Sequence, residues 1–398
     1  MIPRTLARRL KELVGPYPVV FLTGPRQSGK TTLARNTFPR FEYRSLENLH
    51  TREEAVQDPL SFLARFEGKG GVILDEVQRA PGLFSYLQGF VDEERGGPFL
   101  LTGSQQFLLS EKISQSLAGR SAVLELLPFS LAELERRKPR LPEAFLRGRG
   151  RRTRGSGFTL DEAMFTGFFP RIHDRGLSPR TWLDGYRRTY IERDVRTVSG
   201  VGDLEAFSRF LGLCAGRAGR LVNLSALGSD AGVSHVTAKR WLSILRASYI
   251  VDLLLPHHRN FNKRLVKSPK LHFVDTGLLC HLLGIRSPAD LRDHPLRGSI
   301  FENFVVAELR KMFLHRGETP PLFYWRDSRG REVDVLIDLG RTRVPVEAKA
   351  GRTVASDFFK NLDFYTDLSG DGGGVLVFGG DESHRRRNHA VRAWWDIT

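Results

Sequence analysis

The stretch "PVVFLTGPRQSGKTT" limits the possible folds of this chain more than any other. An apolar, β-type run from Val19 to Thr23 passes directly into Gly24-x-x-x-x-Gly29-Lys30-Thr31, the spacing of a phosphate-binding loop set between a strand and a helix. Glycines let successive backbone N–H groups curl around a phosphate, and the helix that follows turns its positive end to the same point. The candidate nucleotide-binding residues are therefore Gly24, Pro25, Arg26, Gln27, Ser28, Gly29, Lys30, Thr31 and Thr32. Lys30 is expected to reach the β- and γ-phosphates of ATP, and the Thr31 hydroxyl to hold Mg²⁺.

Such a loop works with a second strand that carries a carboxylate to the metal. In "GGVILDEVQ", Val72, Ile73 and Leu74 form a buried-strand run that ends on Asp75 and Glu76. Asp75 is the expected Mg²⁺ partner, and Glu76 is the candidate for orienting or deprotonating the attacking water. A third run, "PFLLTGSQQ", ends on Thr102 and Ser104, polar residues suited to positioning water beside the γ-phosphate.

The chain has 398 residues, enough for two or three domains with their own cores. Its 61 basic residues exceed its 45 acidic ones and leave a formal charge of +16, the footprint of a polyanion partner, so nucleic acid is expected. Cys214 and Cys280 are too few for a disulfide scaffold or a four-ligand zinc site. No stretch approaches the roughly 18 apolar residues of a membrane span, and the N-terminus lacks a signal-peptide core, so a cytoplasmic protein without a membrane partner is expected.

From Arg136 the run "RRKPRLPEAFLRGRGRRTRGSG" is broken by proline and glycine and does not look able to make a core. A solvated linker and a phosphate-contacting loop both fit it. "TLDEAMFTGFFPRI" then starts a helix behind a capping Thr159, and "TWLDGYRRTYIERDVR" repeats Trp182, Tyr186, Tyr190 and Val195 at helical spacing, as a lid over the nucleotide would. Arg193 is placed to touch nucleotide or to pair within the lid. "LVNLSALGSDAGVSHVTAKRWLSILRASYIVDLL" has the rhythm of a helix-turn-helix. In its second helix Ala238, Trp241, Leu242 and Leu245 make an apolar stripe that leaves His235, Lys239, Arg240 and Ser243 outward. Those residues, with Arg259, Lys263 and Arg264 of the basic loop "PHHRNFNKR", are the candidate DNA contacts, the loop and its flanking strands forming a wing. Winged helices also serve as protein-docking modules.

Near the C-terminus Phe301, Phe304, Val305, Leu309, Met312 and Phe313 share a helical face with Glu302 beside it. "REVDVLIDLGRTRVPVEAKAG" follows as a hairpin in which Glu347 and Lys349, at i and i+2, share a face. Pairing Asp338 with Arg343 sets Asp334 opposite Glu347, and two carboxylates about 5 Å apart need a cation between them. A divalent metal with Lys349 holding a water is one resolution. An Asp334 to Lys349 salt bridge is the other.

The segment from Ile2 to about Leu134, through "GPRQSGKTT", "ILDEVQ", "LLTGS" and "SLAGR", resembles the AAA+ ATPases, specifically the prokaryotic family whose P-loop domain precedes a DUF4143 region. The resemblance implies a sensor role for Ser104. It also implies an arginine-finger role for Arg120, given to a neighbour's ATP in a homo-oligomeric ring such as a hexamer. Asp334, Glu347-x-Lys349 and the preceding Glu302 resemble the PD-(D/E)xK nuclease superfamily. That implies metal ligands Asp334 and Glu347, a catalytic Lys349 and a supporting Glu302, although Val333 stands where the superfamily has proline.

The expected architecture is α/β: an AAA+ P-loop αβα core over 1–138, a basic linker over 139–157, a helical lid over 158–205, a winged helix over 206–285 and a restriction-endonuclease-like α/β domain over 286–398. The expected function is ATP-dependent remodelling of DNA, branched DNA such as Holliday junctions included, with metal-dependent cleavage left open. An ATP-switched regulator, or a protein remodeller whose nuclease-like domain only binds, is the alternative.

Overall fold

Three apolar runs of the N-terminal region are buried along their whole length, as strands flanked by layers on both faces must be. The computed structural model describes residues 2–104, 117–147, 152–153, 157–191, 203–257 and 268–398. Within it β1 (Val19–Thr23), β2 (Glu42–Ser45), β3 (Val72–Asp75), β4 (Phe99–Gly103) and β5 (Ser121–Glu125) form a parallel sheet of order β2-β3-β4-β1-β5. One face packs on Phe62, Phe66, Phe84 and Leu87, the other on Leu6, Leu10 and Leu33. Because the strands are parallel, the carboxyl ends of β1, β3 and β4 open on one edge, and the chemistry-bearing residues gather there.

The stretch expected to be a linker departs from that expectation where it is described. The helix Pro142–Arg147 buries Phe145 completely. Arg392 of the C-terminal region donates through Nη2 to the carbonyls of Ala144 and Phe145 at 2.8 and 2.7 Å. Further on, β6 (Arg152–Thr153) pairs antiparallel with a C-terminal strand. Composition hid this because one phenylalanine and a donor-rich arginine on a distant strand suffice to dock the segment. Residues 148–151 and 154–156 lie outside the described part.

The middle region is helical. A complete capping box at Thr159 and Glu162 starts the helix Leu160–Thr166, and the helices Pro170–Arg175 and Pro179–Tyr186 follow. Three more, Leu204–Ala215, Leu224–Ala231 and His235–Ala247, are each opened by a side-chain cap, from Asp203, Asn223 and Ser234. Trp241 locks the first to the third, edge-on against Phe207 and Phe210 at 5.4 and 5.5 Å. An antiparallel ribbon of β7 (Val251–Leu254) and β8 (Lys270–Phe273) comes next.

The C-terminal sheet is mixed. β9 (Leu322–Arg326), β10 (Glu332–Asp338), β11 (Arg343–Lys349), β12 (Val375–Phe378), β13 (Glu382–Arg386) and β14 (His389–Ala393) join β6 in the order β6-β13-β14-β12-β11-β10-β9. The 18-residue helix Arg297–Leu314 packs beside it with the predicted face of Phe301, Phe304, Val305, Leu309, Met312 and Phe313 buried. One continuous apolar core runs from Phe129 through the lid, the middle helices and this sheet to Ile397, so the lid, winged-helix and C-terminal boundaries expected from the sequence fall between elements that share a single core.

The two cores are tied by a buried ion pair. Arg4 donates to the carbonyls of Ser28 in the phosphate loop at 2.9 Å and Leu127 at 2.6 Å, and its guanidinium lies 3.3 Å from Glu133. Glu133 also accepts from the amides of Thr5 and Ser130, and His315 at the end of the long helix stands 3.4 Å away. Burial would push the Glu133 carboxyl up, but Arg4 and His315 outweigh it and hold it well below the usual carboxylate range. Replacing Glu133 with glutamine leaves Arg4 charged and unpaired inside the protein, and we expect a loss of about 3–5 kcal/mol. Denaturant unfolding measures it, and adding Arg4→Met should cost less than the two single losses together.

Candidate nucleotide site and C-terminal acid cluster

The turn after β1 requires glycine: Gly24 has φ +143°, and a Cβ there would stand 2.2 Å from the Leu126 carbonyl oxygen. Gly29, at φ +92°, releases the chain into the helix Lys30–Thr37. Lys30 is 5% exposed and its ammonium donates to the carbonyls of Gly24 and Pro25 at 3.0 and 2.8 Å, so it is held at the mouth of the loop. Burial pulls it down to about 8, against the opposing pull of Glu76 and Asp75.

Asp75 collects three hydroxyls. Thr31 donates to its Oδ1 at 2.8 Å, Thr102 donates to the same oxygen, and Tyr43 donates to Oδ2 at 3.0 Å. Thr31 from the loop and Asp75 from β3 are thus already in hydrogen-bond contact, an oxygen pair of the kind Mg²⁺ selects. Such an ion would be held by these two residues and would supply charge neutralisation at the phosphates. Glu76 sits just beyond the strand in the left-handed region, φ 59°, a conformation that costs a non-glycine residue roughly 1–2 kcal/mol. Gln78 bridges it to Ser104, donating 2.5 Å to the Glu76 carboxylate and 3.3 Å to the Ser104 hydroxyl. The structure therefore brings Lys30, Thr31, Asp75, Glu76 and Ser104 to one edge, turns Thr102, expected to position water, onto Asp75 instead, and adds Tyr43 and Gln78, which spacing alone did not reveal.

The lid reaches the loop directly. Gln27 donates to the Tyr190 hydroxyl at 3.0 Å, Arg26 lies over the Tyr190 ring at 5.4 Å, and Trp182 and Tyr186 stack at 5.2 Å behind it. Beside Gly29 and Thr32, an open cavity of about 250 Å³ is lined by Ile2, Leu33, Phe129 and Pro170, with Arg4 and Asp174 among its polar groups. Ser28 is fully buried within the loop. Arg120 is not part of this gathering. It is partly exposed at the start of β5, opposite the loop end of β1, and is forked onto Asp92. Arg193 and Val195 lie outside the described residues.

The hairpin of the C-terminal site pairs Asp338 with Arg343 and Val335 with Val346. One step on, Asp334 turns its Oδ2 to accept the Ala348 amide at 2.9 Å. Glu347 is fully buried and pairs with Lys349 at 2.7 Å, so neither the Asp334 to Lys349 bridge nor a carboxylate pair facing a metal is formed. Glu302 instead meets Lys270 of β8, at 2.8 Å, and the same ammonium lies 2.5 Å from Glu332. Burial and then Asp334 push the carboxyls of Glu302 and Glu347 up. Among the described residues no group of three His, Cys, Asp or Glu side chains is placed to hold a metal ion. The expected metal ligands Asp334, Glu347 and Glu302 are thus corrected on geometry: each is engaged by a protein donor, and these residues as placed do not fit a resident divalent ion. Lys270 was missed because it comes from a strand more than 60 positions before the hairpin, with no spacing signal to tie them.

On the helix His235–Ala247 the side chains of His235, Lys239, Arg240 and Ser243 are exposed, while Ala238, Trp241, Leu242 and Leu245 are buried. Arg259, Lys263 and Arg264 lie outside the described residues. No helix among the described residues is long and apolar enough to cross a membrane.

A strand-ended P-loop on a parallel five-stranded sheet defines a nucleotide-hydrolysing machine of AAA type. Family models agree region by region: an AAA domain matches residues 16–135, a domain of unknown function (DUF8612) residues 157–289, and a domain of unknown function (DUF4143) residues 297–395. The uncharacterized protein Rv2008c of Mycobacterium tuberculosis is 30% identical over 354 residues, covering 88% of this chain and 74% of the mycobacterial one, and Mb2031c of Mycobacterium bovis matches equally. The chain belongs to the family of these mycobacterial proteins, and it carries an AAA-type P-loop domain followed by DUF8612 and DUF4143 regions. Among solved structures, a Walker-type ATPase of Pyrococcus abyssi aligns over 71% of this chain and 96% of its own, at 15% identity and TM-score 0.41. A mutant form of RuvB from Thermotoga maritima aligns over 62% of this chain and 88% of its own, at 17% identity and TM-score 0.32.

A lysine pulled down to about 8 must be protonated to meet phosphate. We expect ATP binding to take up a proton near pH 8, and affinity to fall as pH rises through 8 towards the higher value of the bound state. Calorimetry in buffers of different ionisation enthalpy checks it, and Lys30→Arg should remove the proton uptake.

Proposed function

We propose that the protein uses ATP hydrolysis to remodel DNA held by its middle region, with Lys30, Thr31, Asp75, Glu76 and Ser104 serving the nucleotide and the helix His235–Ala247 serving the DNA. The observation that carries this reading is the free face of that helix. Lys239 and Arg240 are exposed, none of His235, Lys239 and Arg240 is paired with an acid among the described residues, and Val236 stands 75% exposed beside them. Cations, hydrogen-bonding groups and one apolar contact on the N-terminal half of a helix suit entry into a major groove. The ribbon β7–β8 behind it supports a winged-helix reading, and the charge of +16 supports a polyanion as partner.

The chemistry follows from the strand edge. Lys30 binds the β- and γ-phosphates once they displace its loop carbonyls. Glu76 takes a proton from, or orients, the attacking water, and Gln78 links it to Ser104 so that both respond to the γ-phosphate. The apolar cavity beside Gly29 and Thr32 suits the base. Signal leaves along Thr23, whose hydroxyl lies 3.0 Å from that of Tyr249, two residues beyond the reader helix. Arg120, remote from its own loop, serves a neighbouring copy's nucleotide in a ring by giving up its pair with Asp92. The engaged carboxylates of the C-terminal cluster favour a binding rather than a cutting role for that sheet.

ATP turnover is measured with and without linear, forked and four-way DNA. We expect stimulation by DNA, no nucleotide binding by Lys30→Ala, and intact binding with turnover reduced about 10²–10⁴-fold in Glu76→Gln. Lys239→Ala and Arg240→Ala should each lower the salt slope of DNA affinity by about 1. ATP turnover indifferent to every DNA, with no salt-dependent binding, would instead point to a protein remodeller. Separately, Arg120→Ala and Lys30→Ala chains, each inactive, should regain turnover when mixed, because one donates the arginine and the other the loop.

A further inference from the structure

Lys270 is an unusual residue to find at the C-terminal acid cluster. It is 1% exposed and sits on β8, apart from the helix that carries Glu302 and the sheet that carries Glu332, Asp334 and Glu347. Its backbone is fixed, Lys270 pairing with Leu254 across the ribbon and bridging to Leu221. The ammonium contacts Glu302 Oε1 and Glu332 Oε1 at 2.8 and 2.5 Å and lies 5.8 Å from the centre of the Tyr324 ring. Burial alone would lower its charge affinity, but Glu302, Asp334 and Glu332 outweigh burial and hold the ammonium above the usual lysine range. The remaining acids are served otherwise: Asp334 by the Ala348 amide, Glu347 by Lys349 and Asn361, and Glu332 also by Arg326 at 3.4 Å.

A second observation points to a cation at this place. His272, two residues along β8 from Lys270 and so on the same face, is 1% exposed, and both its ring nitrogens lack a hydrogen-bond partner. Its Nε2 stands 4.0 Å from the Glu302 oxygen that Lys270 occupies. Burial, then Lys270 and Arg310, pull this imidazole down to about 3, so it is neutral. A neutral, unpartnered imidazole beside carboxylates is a donor set that divalent transition metals take readily, yet an ammonium already fills the position between those carboxylates.

We propose that the Lys270 ammonium is the resident cation of this cluster, excluding divalent metal from it, and that removing the ammonium turns Glu302, Glu332 and His272 into a divalent-metal site. The inference does not rest on the DNA reading, since it is tested without DNA or nucleotide.

The probe is Mn²⁺, titrated by calorimetry and by the paramagnetic signal of free ion into nucleotide-free native protein, Lys270→Arg and Lys270→Met. Native protein and Lys270→Arg should show the same weak background. Lys270→Met should gain one Mn²⁺ per chain at least tenfold tighter, and Lys270→Met with Glu302→Gln should lose that gain. A folded Lys270→Met that gains nothing overturns the proposal. So does native protein that binds one Mn²⁺ and loses it on Glu302→Gln, and this second comparison decides even where Lys270→Met does not fold.

Discussion

The carboxylate of Glu133 is the point on which the two halves of the molecule turn. It sits among Arg4, the amides of Thr5 and Ser130, and His315, and Arg4 in turn supports the phosphate loop through the Ser28 carbonyl. Two charges taken out of water are stabilised only when their geometry is complete, and removal of either partner strands the other. The loop, the segment leaving β5 and the end of the helix Arg297–Leu314 are therefore held in one relative position by a single network. A nucleotide arriving at the loop meets a scaffold that is already braced from behind.

At the loop's front the same logic governs Asp75. Three hydroxyl donors, from Thr31, Thr102 and Tyr43, fix its carboxylate, so its orientation is set before any ligand arrives. The strained backbone of Glu76 belongs to this edge as well, since strain at a strand end persists only where surrounding contacts over-determine it. Gln78 makes the Glu76 and Ser104 side chains one unit, joining the end of β3 to the end of β4.

How much of this could be read beforehand depended on whether the partners were close in sequence. The loop from Gly24 to Thr32 and the strand ending at Asp75 were legible because apolar runs and glycine spacing are local signals. The buried face of the helix Arg297–Leu314 was legible for the same reason, and so was the pairing of Asp338 with Arg343, set by one hairpin turn. Docking of Phe145 was not, because it depends on Arg392, nearly 250 positions away. Lys270 was not, because a lysine on a short strand carries no mark of the acids it will meet. The hairpin did announce that Asp334 and Glu347 needed cations. It left a metal and a Lys349 bridge as alternatives, and gave no sign that the Ala348 amide would serve Asp334 while Lys349 turned to Glu347.

The polar and apolar links between regions differ in a way that decides where the molecule can move. The lid, the middle helices and the C-terminal sheet share a continuous core, with rings such as Phe168 and Phe304 packed across their boundaries at 6.0 Å. Packed cores of this kind deform little. The sheet that carries the phosphate loop has its own cores and meets the rest through Arg4, through Thr23 and Tyr249, through Gln27 and Tyr190, and through a small apolar patch of Leu127, Tyr249, Val274 and Leu314. Hydrogen bonds can exchange partners at a net change of about 1 kcal/mol each, whereas parting a core exposes all of its apolar area at once. The plane of easiest movement therefore runs beside β1 and the phosphate loop, between the nucleotide sheet and everything else, with the buried Arg4–Glu133 pair as its fixed point. Lys270 reinforces that division, since its ion pairs fasten the ribbon that follows the helix His235–Ala247 to the C-terminal acids.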